Sequence, residues 1–347
     1  MIIGKRVLLF ALLFSMTIRC SSQNSAVDGA LDSALGNLDG KIADVQKESD
    51  GPNVDFVWPD HGLDMSLDFQ EGSDLPSAMK YVQIAAGTYH SCGIIEAYGP
   101  NLKGTVVCWG NNPVGQTDPP KGKLFDQVSC GDEHSCGVRT DNVVECWGDD
   151  GEGQSMPPAG VLFTYVAAGF DHTCGIKKDD QTVVCWGNND SKQSNPPAGQ
   201  FKQLSAGDEI SCGLRVDGTV ACWGDADEGM CNPPTDNTFT QIDTRVWHSC
   251  GLLANGEVKC WGENSENECD VPTGAGKFIQ VTVGEEMSYG LLATGEVVYW
   301  GWDMGAPPVS ETWFGKIATG SDHVCGVRKD GTGFCWGDSS YWQCDIP

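Results

Sequence analysis

The chain has 347 residues, with 48 Asp and Glu against 21 Lys and Arg and a formal net charge of −27. That length allows one large domain or two ordinary ones. An acidic surface with no cluster of Lys and Arg repels phosphate backbones, so nucleic acid is excluded as a partner.

Residues 1–20 read as an export signal. Lys5 and Arg6 precede an apolar run from Val7 to Met16 that ends before Cys20. A short positive end and about ten apolar residues make a secretory signal. The run is too short for a bilayer, which needs roughly 20 apolar residues. Cys20 stands where an acylated cysteine would follow such a signal, although Arg19 replaces the small residue usual there. Lipid anchoring through Cys20 and plain cleavage nearby both stay open. The expected location is the cell envelope, surface or periplasm, or the medium.

Residues 21–78 are rich in Gly, Ser, Asp and Asn, and twelve Asp and Glu face only Lys41 and Lys47. Too little can be buried here to offset ordering entropy, which predicts an acidic, disordered tether.

From residue 79 to residue 347 everything repeats. Trp-Gly recurs at Trp109, Trp147, Trp186, Trp223, Trp261, Trp300 and Trp336, with spacings of 36 to 39 residues. Seven copies at a nearly fixed period describe an architecture. The fourth copy reads Phe201-Lys-Gln-Leu-Ser-Ala-Gly, Ile210-Ser-Cys-Gly-Leu-Arg, then Gly218-Thr-Val-Ala-Cys-Trp-Gly and a polar loop to Pro233-Pro234. Short β-branched and aromatic runs broken by Gly, Asp and Pro are strands, with no amphipathic helix among them. The prediction is an all-β, seven-bladed β-propeller of repeats near 38 residues.

The hairpin in each repeat can be registered from its turn. Val216-Asp217-Gly218 is a three-residue loop ending in glycine, the residue that best tolerates positive φ. Pairing outward sets Arg215 opposite Thr219 and Cys212 opposite Cys222. The same exercise pairs Cys136 with Cys146, Cys250 with Cys260 and Cys325 with Cys335. Cys174–Cys185 carries one extra loop residue, and Cys92–Cys108 an insertion through Tyr98-Gly99-Pro100. In the sixth repeat Tyr289 and Tyr299 replace both cysteines together, as expected of bonded partners. Six disulfide-stapled hairpins follow, each contributing about 3 kcal/mol in the chain-entropy model. Cys130, Cys231, Cys269 and Cys344 remain, the last three each eight residues after a repeat Trp, and their pairing is open. No Cys-x-x-Cys or paired-histidine spacing signals zinc.

The unit Ala-Gly-x-x-His-Ser-Cys-Gly-Leu…Asp-Gly-x-Val-x-Cys-Trp-Gly-x-Asn, with the distal Gly115-Gln116 and Gly153-Gln154, resembles the repeat of the regulator of chromosome condensation family. That resemblance implies a seven-bladed propeller over about residues 81–347. The short period and the cysteine pair make the chain look more like secreted members: the bacterial β-lactamase inhibitor of this fold and the ectodomain of plant crinkly-type receptor kinases. These relatives bind proteins. The resemblance therefore implies a protein-binding role and transfers no contact residue. Trp302-Asp303-Met304-Gly305 in the sixth repeat departs from the pattern.

Several constellations have a plainer reading. His90, His134, His172, His248 and His323 share one repeat position, filled elsewhere by Ile210 and Met287, so packing is expected there rather than a metal. The Trp-Gly tryptophans recur identically, as core residues between blades would. Trp58, Trp247, Trp302, Trp313 and Trp342 fall outside that position and are the candidates for exposed contacts. Acidic residues gather after Trp-Gly (Asp149-Asp150; Asp225, Asp227, Glu228; Glu263, Glu266, Glu268) and before the hairpin (Asp132-Glu133, Asp208-Glu209, Glu285-Glu286). Asp225 to Gly229 has part of a calcium-loop spacing without the full ligand series, so no cofactor is expected.

No nucleophile elbow, no phosphate-cradling loop and no Ser/His/Asp grouping outside the repeat positions occurs, and a catalytic function is not expected. The leading reading is an exported, monomeric, non-enzymatic scaffold that binds a protein or glycan. The alternatives are a secreted inhibitor of an enzyme such as a β-lactamase, and a propeller hydrolase or lyase.

Overall fold

A computed structural model describes residues 53–57, 64–68, 79–96, 104–302 and 313–347. The chain divides into two compact units, Met1–Ser77 and Ala78–Pro347. The signal segment, Cys20, Trp58 and most of the expected tether lie outside the described residues, as do Tyr98-Gly99-Pro100 and Asp303-Met304-Gly305. Within the first unit, Asn53–Val57 pairs antiparallel with Asp64–Asp68, an element the sequence reading did not anticipate. Its register sets Val54 opposite Leu67 and Phe56 opposite Met65.

The second unit is seven three-stranded antiparallel sheets, each built from three consecutive strands. In the fourth, the inner strand is Phe201–Ala206, the middle strand Ile210–Arg215 and the outer strand Val220–Gly224. The hairpin register is the one read from the turn: Cys212 faces Cys222 and Leu214 faces Val220. Gly218 closes the turn with φ 90°, and Asp217 Oδ1 accepts from the Thr219 amide at 2.9 Å. In the middle strand, Gly213 lies under the ring that starts the inner strand. A Cβ there would come 2.5 Å from Phe201 Cδ1, so only glycine fits.

Seven hydrophobic clusters lie at the seven interfaces between neighbouring blades. Each joins the middle and outer strands of one blade to the inner strand and tryptophan of the next, as Cys174, Ile176 and Val183 do with Phe201, Leu204 and Trp223. The seventh cluster joins Cys325 and Val327 to Tyr81, Ile84 and Trp109, so the last blade packs on the first. Main-chain bonds repeat with the clusters. The Phe201 amide donates to Gln181 O of the preceding hairpin, and the Tyr81 amide donates likewise to Gly331 O at 2.8 Å. Among the described residues each blade is made of consecutive strands, and an antiparallel bridge between Lys80 and Thr332 helps join the last blade to the first.

The inner strands surround a central cavity of about 390 Å³. They are joined by a belt of glutamines. Gln127 Nε2 donates to Val166 O at 2.7 Å while its Oε1 accepts from the Val166 amide at 2.9 Å. Gln83, Gln203, Gln241 and Gln280 grip the next blade in the same way. Lys316 makes the step from the seventh blade to the first, donating to Val82 O at 2.7 Å.

Candidate docking face at one end of the channel

All six cysteine pairs are bonded: Cys92–Cys108, Cys136–Cys146, Cys174–Cys185, Cys212–Cys222, Cys250–Cys260 and Cys325–Cys335. In the sixth blade Tyr289 faces Tyr299 in the same register, with ring centroids 6.1 Å apart. Cys130, Cys231, Cys269 and Cys344 are free thiols. The last three do the work of a serine: Cys231 Sγ donates to Asp225 O, as Ser155 Oγ does to Asp149 O in the second blade.

The five histidines form a chain of contacts between blades. His90, His134, His172, His248 and His323 are buried, and each Nε2 meets a hydroxyl of the next blade: Ser135, Thr173, Ser211, Ser288 and Ser91 at 2.7–2.8 Å. Burial pushes His90, His172 and His323 down to about 3, and His134 and His248 to about 4. The repeat tryptophans are also buried between blades. The Trp147 indole N–H donates to Gln116 O at 2.9 Å, and Trp186 does the same to Gln154 O. Among the described residues, one group of three metal-capable side chains lies within mutual reach: His90, Cys92 and Cys130. Cys92 is bonded to Cys108 and offers no thiolate. The Asp225 carboxylate accepts from the Asp227 amide, as in an ordinary Asx turn.

Separated in sequence, the two acidic loop sets meet at one end of the channel. In each repeat the loop after the outer strand donates to the loop between inner and middle strands: Asp149 N to Glu133 O, Asp225 N to Glu209 O and Asp338 N to Asp322 O, all at 2.8 Å. Among the described residues of these loops, the cations are Lys121, Lys123, Lys192, Arg245 and Lys277, and Lys277 lies against the hairpin turn at Gly256. The hairpin turns at the opposite end carry Arg139, Lys177, Lys178, Arg215, Arg328 and Lys329. Burial first, and then the carboxylates Asp132, Asp149, Asp208 and Glu152, hold Asp171 up at about 6. Asp132, Asp208, Glu285 and Asp322 are raised for the same leading reason.

Aromatic side chains stand on the same end. Phe170, Trp247, Trp302, Tyr341 and Trp342 are exposed, and Tyr89 packs edge-on against Tyr341 at 5.1 Å. Trp313 lies on the hairpin side, with Lys329 Nζ 5.2 Å above its ring.

Arg245 is the residue that sequence reasoning missed. Six blades place a glycine three residues before the histidine position, and these glycines form a collar at the channel mouth: a Cβ on Gly131 would sit 2.2 Å from Gly169 O. The fifth blade breaks the Ala-Gly pattern with Thr244-Arg245, and that break was the available signal.

Residues 125–154, 163–193, 201–229, 246–268 and 316–343 match the model of the regulator of chromosome condensation (RCC1) repeat. Five of the chain's seven blades are RCC1 repeats. The first and sixth blades of this RCC1-repeat propeller, with the insertion and the tyrosine pair, fall outside the matched stretches. It is similar to the CRINKLY WD40 ectodomain of the Arabidopsis thaliana receptor kinase ACR4, at 26% identity and TM-score 0.63, over 75% of this chain and 98% of that one. It is also similar to the ectodomain of the Physcomitrella patens receptor kinase CR4, at 23% identity and TM-score 0.65, over 75% and 74% of the two chains. No curated protein matches the chain in sequence.

Proposed function

We propose that this RCC1-repeat propeller is an exported, non-enzymatic scaffold that docks a basic protein on the acidic, aromatic end of its channel. One observation carries the reading: two loop sets, separate in sequence, are hydrogen-bonded into a single end where exposed aromatics gather and carboxylates far outnumber cations. Aromatic anchors supply interface energy, and a field of one sign speeds encounter with a partner of the other. The six disulfides and the likeness to a receptor-kinase ectodomain support a place outside the cytoplasm. Export by the first twenty residues belongs to this proposal, as does anchoring through Cys20.

The test is capture from an extracellular or envelope fraction on immobilised propeller. A saturable basic protein is expected. It should be lost when Asp150, Asp227 and Glu286 are changed to Lys, and kept when Arg215 and Lys329 are changed to Glu. Equal retention by both variants sinks the reading.

A further inference from the structure

A pocket of about 240 Å³ lies at the centre of the acidic end and takes residues from all seven blades. Drug-sized ligands occupy pockets of roughly 300–1,000 Å³, so this one suits a single side chain. Its lining holds Asp132, Asp208 and Glu285 against one guanidinium, Arg245, which leaves it net negative. Asp132 is only 8% exposed; Thr88 hydrogen-bonds its carboxylate, but its Oδ1 is buried with no hydrogen-bond partner. Arg245 reaches from the fifth blade to Ala86 O of the first at 3.5 Å and makes no ion pair among the described residues.

A buried carboxylate oxygen without a donor is destabilising until something satisfies it. The neighbouring acids favour a donor that brings positive charge. Phe170, on the blade next to Asp132, lines the same pocket and suits a donor with an apolar stem.

We propose that the channel mouth receives one lysine or arginine side chain of the docked protein, its head on Asp132 Oδ1 and its stem against Phe170. The assignment rests on the docking-face reading and names its anchor. Lys and Arg suit such a site, since each buries a methylene stem while its head meets a carboxylate.

Pentalysine peptide titrated into the full-length protein at low salt, followed by calorimetry, tests the anchor. Single-site binding is expected, with pentaglutamate inert. Losing a charged hydrogen bond should weaken pentalysine about tenfold in Asp132→Asn, whereas a rim charge in Asp150→Asn should matter about twofold. Phe170→Ala changes no charge and should also weaken binding by about tenfold. Arg245→Gln should tighten it. Peptide mapping should find the six wild-type disulfides in every variant. If Asp132→Asn and Phe170→Ala both bind within twofold of wild type, the anchor is overturned. The docking face would then stand or fall on its own charge-reversal experiment.

Discussion

His323 Nε2 lies 2.7 Å from Ser91 Oγ, 232 residues away in the chain. The same contact joins His134 to Thr173 and His172 to Ser211, so the meeting of last and first blades is chemically one interface among seven. Ser91→Ala would leave a buried imidazole nitrogen unpaired, at a cost of about 1–3 kcal/mol. Urea unfolding should show that loss, and Ser135→Ala at the interface between the first two blades should lose a similar amount. An unchanged midpoint in Ser91→Ala alone would mean that the ring stands open in solution.

The histidine chain also fixes how stability depends on pH. Burial holds all five imidazoles at about 3 to 4, below their ordinary 6.5. The unfolded chain therefore binds more protons below pH 6.5, so their contribution is complete above 6.5 and is lost as pH falls toward the folded values. Asp171, held up at about 6 from 3.8, acts the other way in the window between those values, and so do Asp132, Asp208, Glu285 and Asp322, which are raised as well. Unfolding midpoints measured from about pH 7.5 down to about 4.5 should fall steadily. His172→Ile, which borrows the residue of the fourth blade, removes one of the five buried imidazoles and should make that fall smaller. A flat profile for the wild type would contradict the burial of the ring.

Much of this architecture was legible because hairpin chemistry is local. The turn glycine fixes the register, the register sets Cys212 against Cys222, and the paired loss at Tyr289 and Tyr299 acts as a control on the bond. The roles of the histidines were not legible, since Ser135 and Ser91 are brought to them by neighbouring blades and by no fixed spacing. The acidic end was hidden for the same reason. Glu133 and Asp149 belong to different loops until the main chain bonds them together. Arg245 was visible as a broken repeat, yet only the closed collar of glycines shows where its side chain must go.

Cys130 offers a test of how disulfide identity is controlled. Its sulfur lies within 4.8 Å of that of Cys92, which is bonded to Cys108 in the neighbouring blade. Attack by the Cys130 thiolate on Cys92 would expel Cys108, but burial pushes the Cys130 thiol up to about 12 and keeps it protonated. In Cys108→Ser the competitor is gone. With oxidised glutathione as electron acceptor, Cys92 and Cys130 should form a bond between blades, visible by non-reducing peptide mapping. Cys92 recovered free or as a mixed glutathione disulfide would show that the two sulfurs cannot meet.

The sixth blade allows the staple to be weighed against packing. Tyr289 and Tyr299 hold the same register as the cysteine pairs, so Tyr289→Cys with Tyr299→Cys should form a seventh disulfide. Closing a loop of that size contributes about 3 kcal/mol in the entropy model. Against it stands Tyr289, 1% exposed, whose ring meets Trp336 of the next blade at 6.2 Å. Emptying a buried aromatic site costs about 3–5 kcal/mol, because the surroundings collapse only in part. The bridge should therefore form and the protein should still be no more stable, with an unfolding midpoint at or below that of the wild type. A clear rise would mean that the two rings are poorly packed and that cross-linking, more than the aromatic contact with the seventh blade, limits the stability of this repeat.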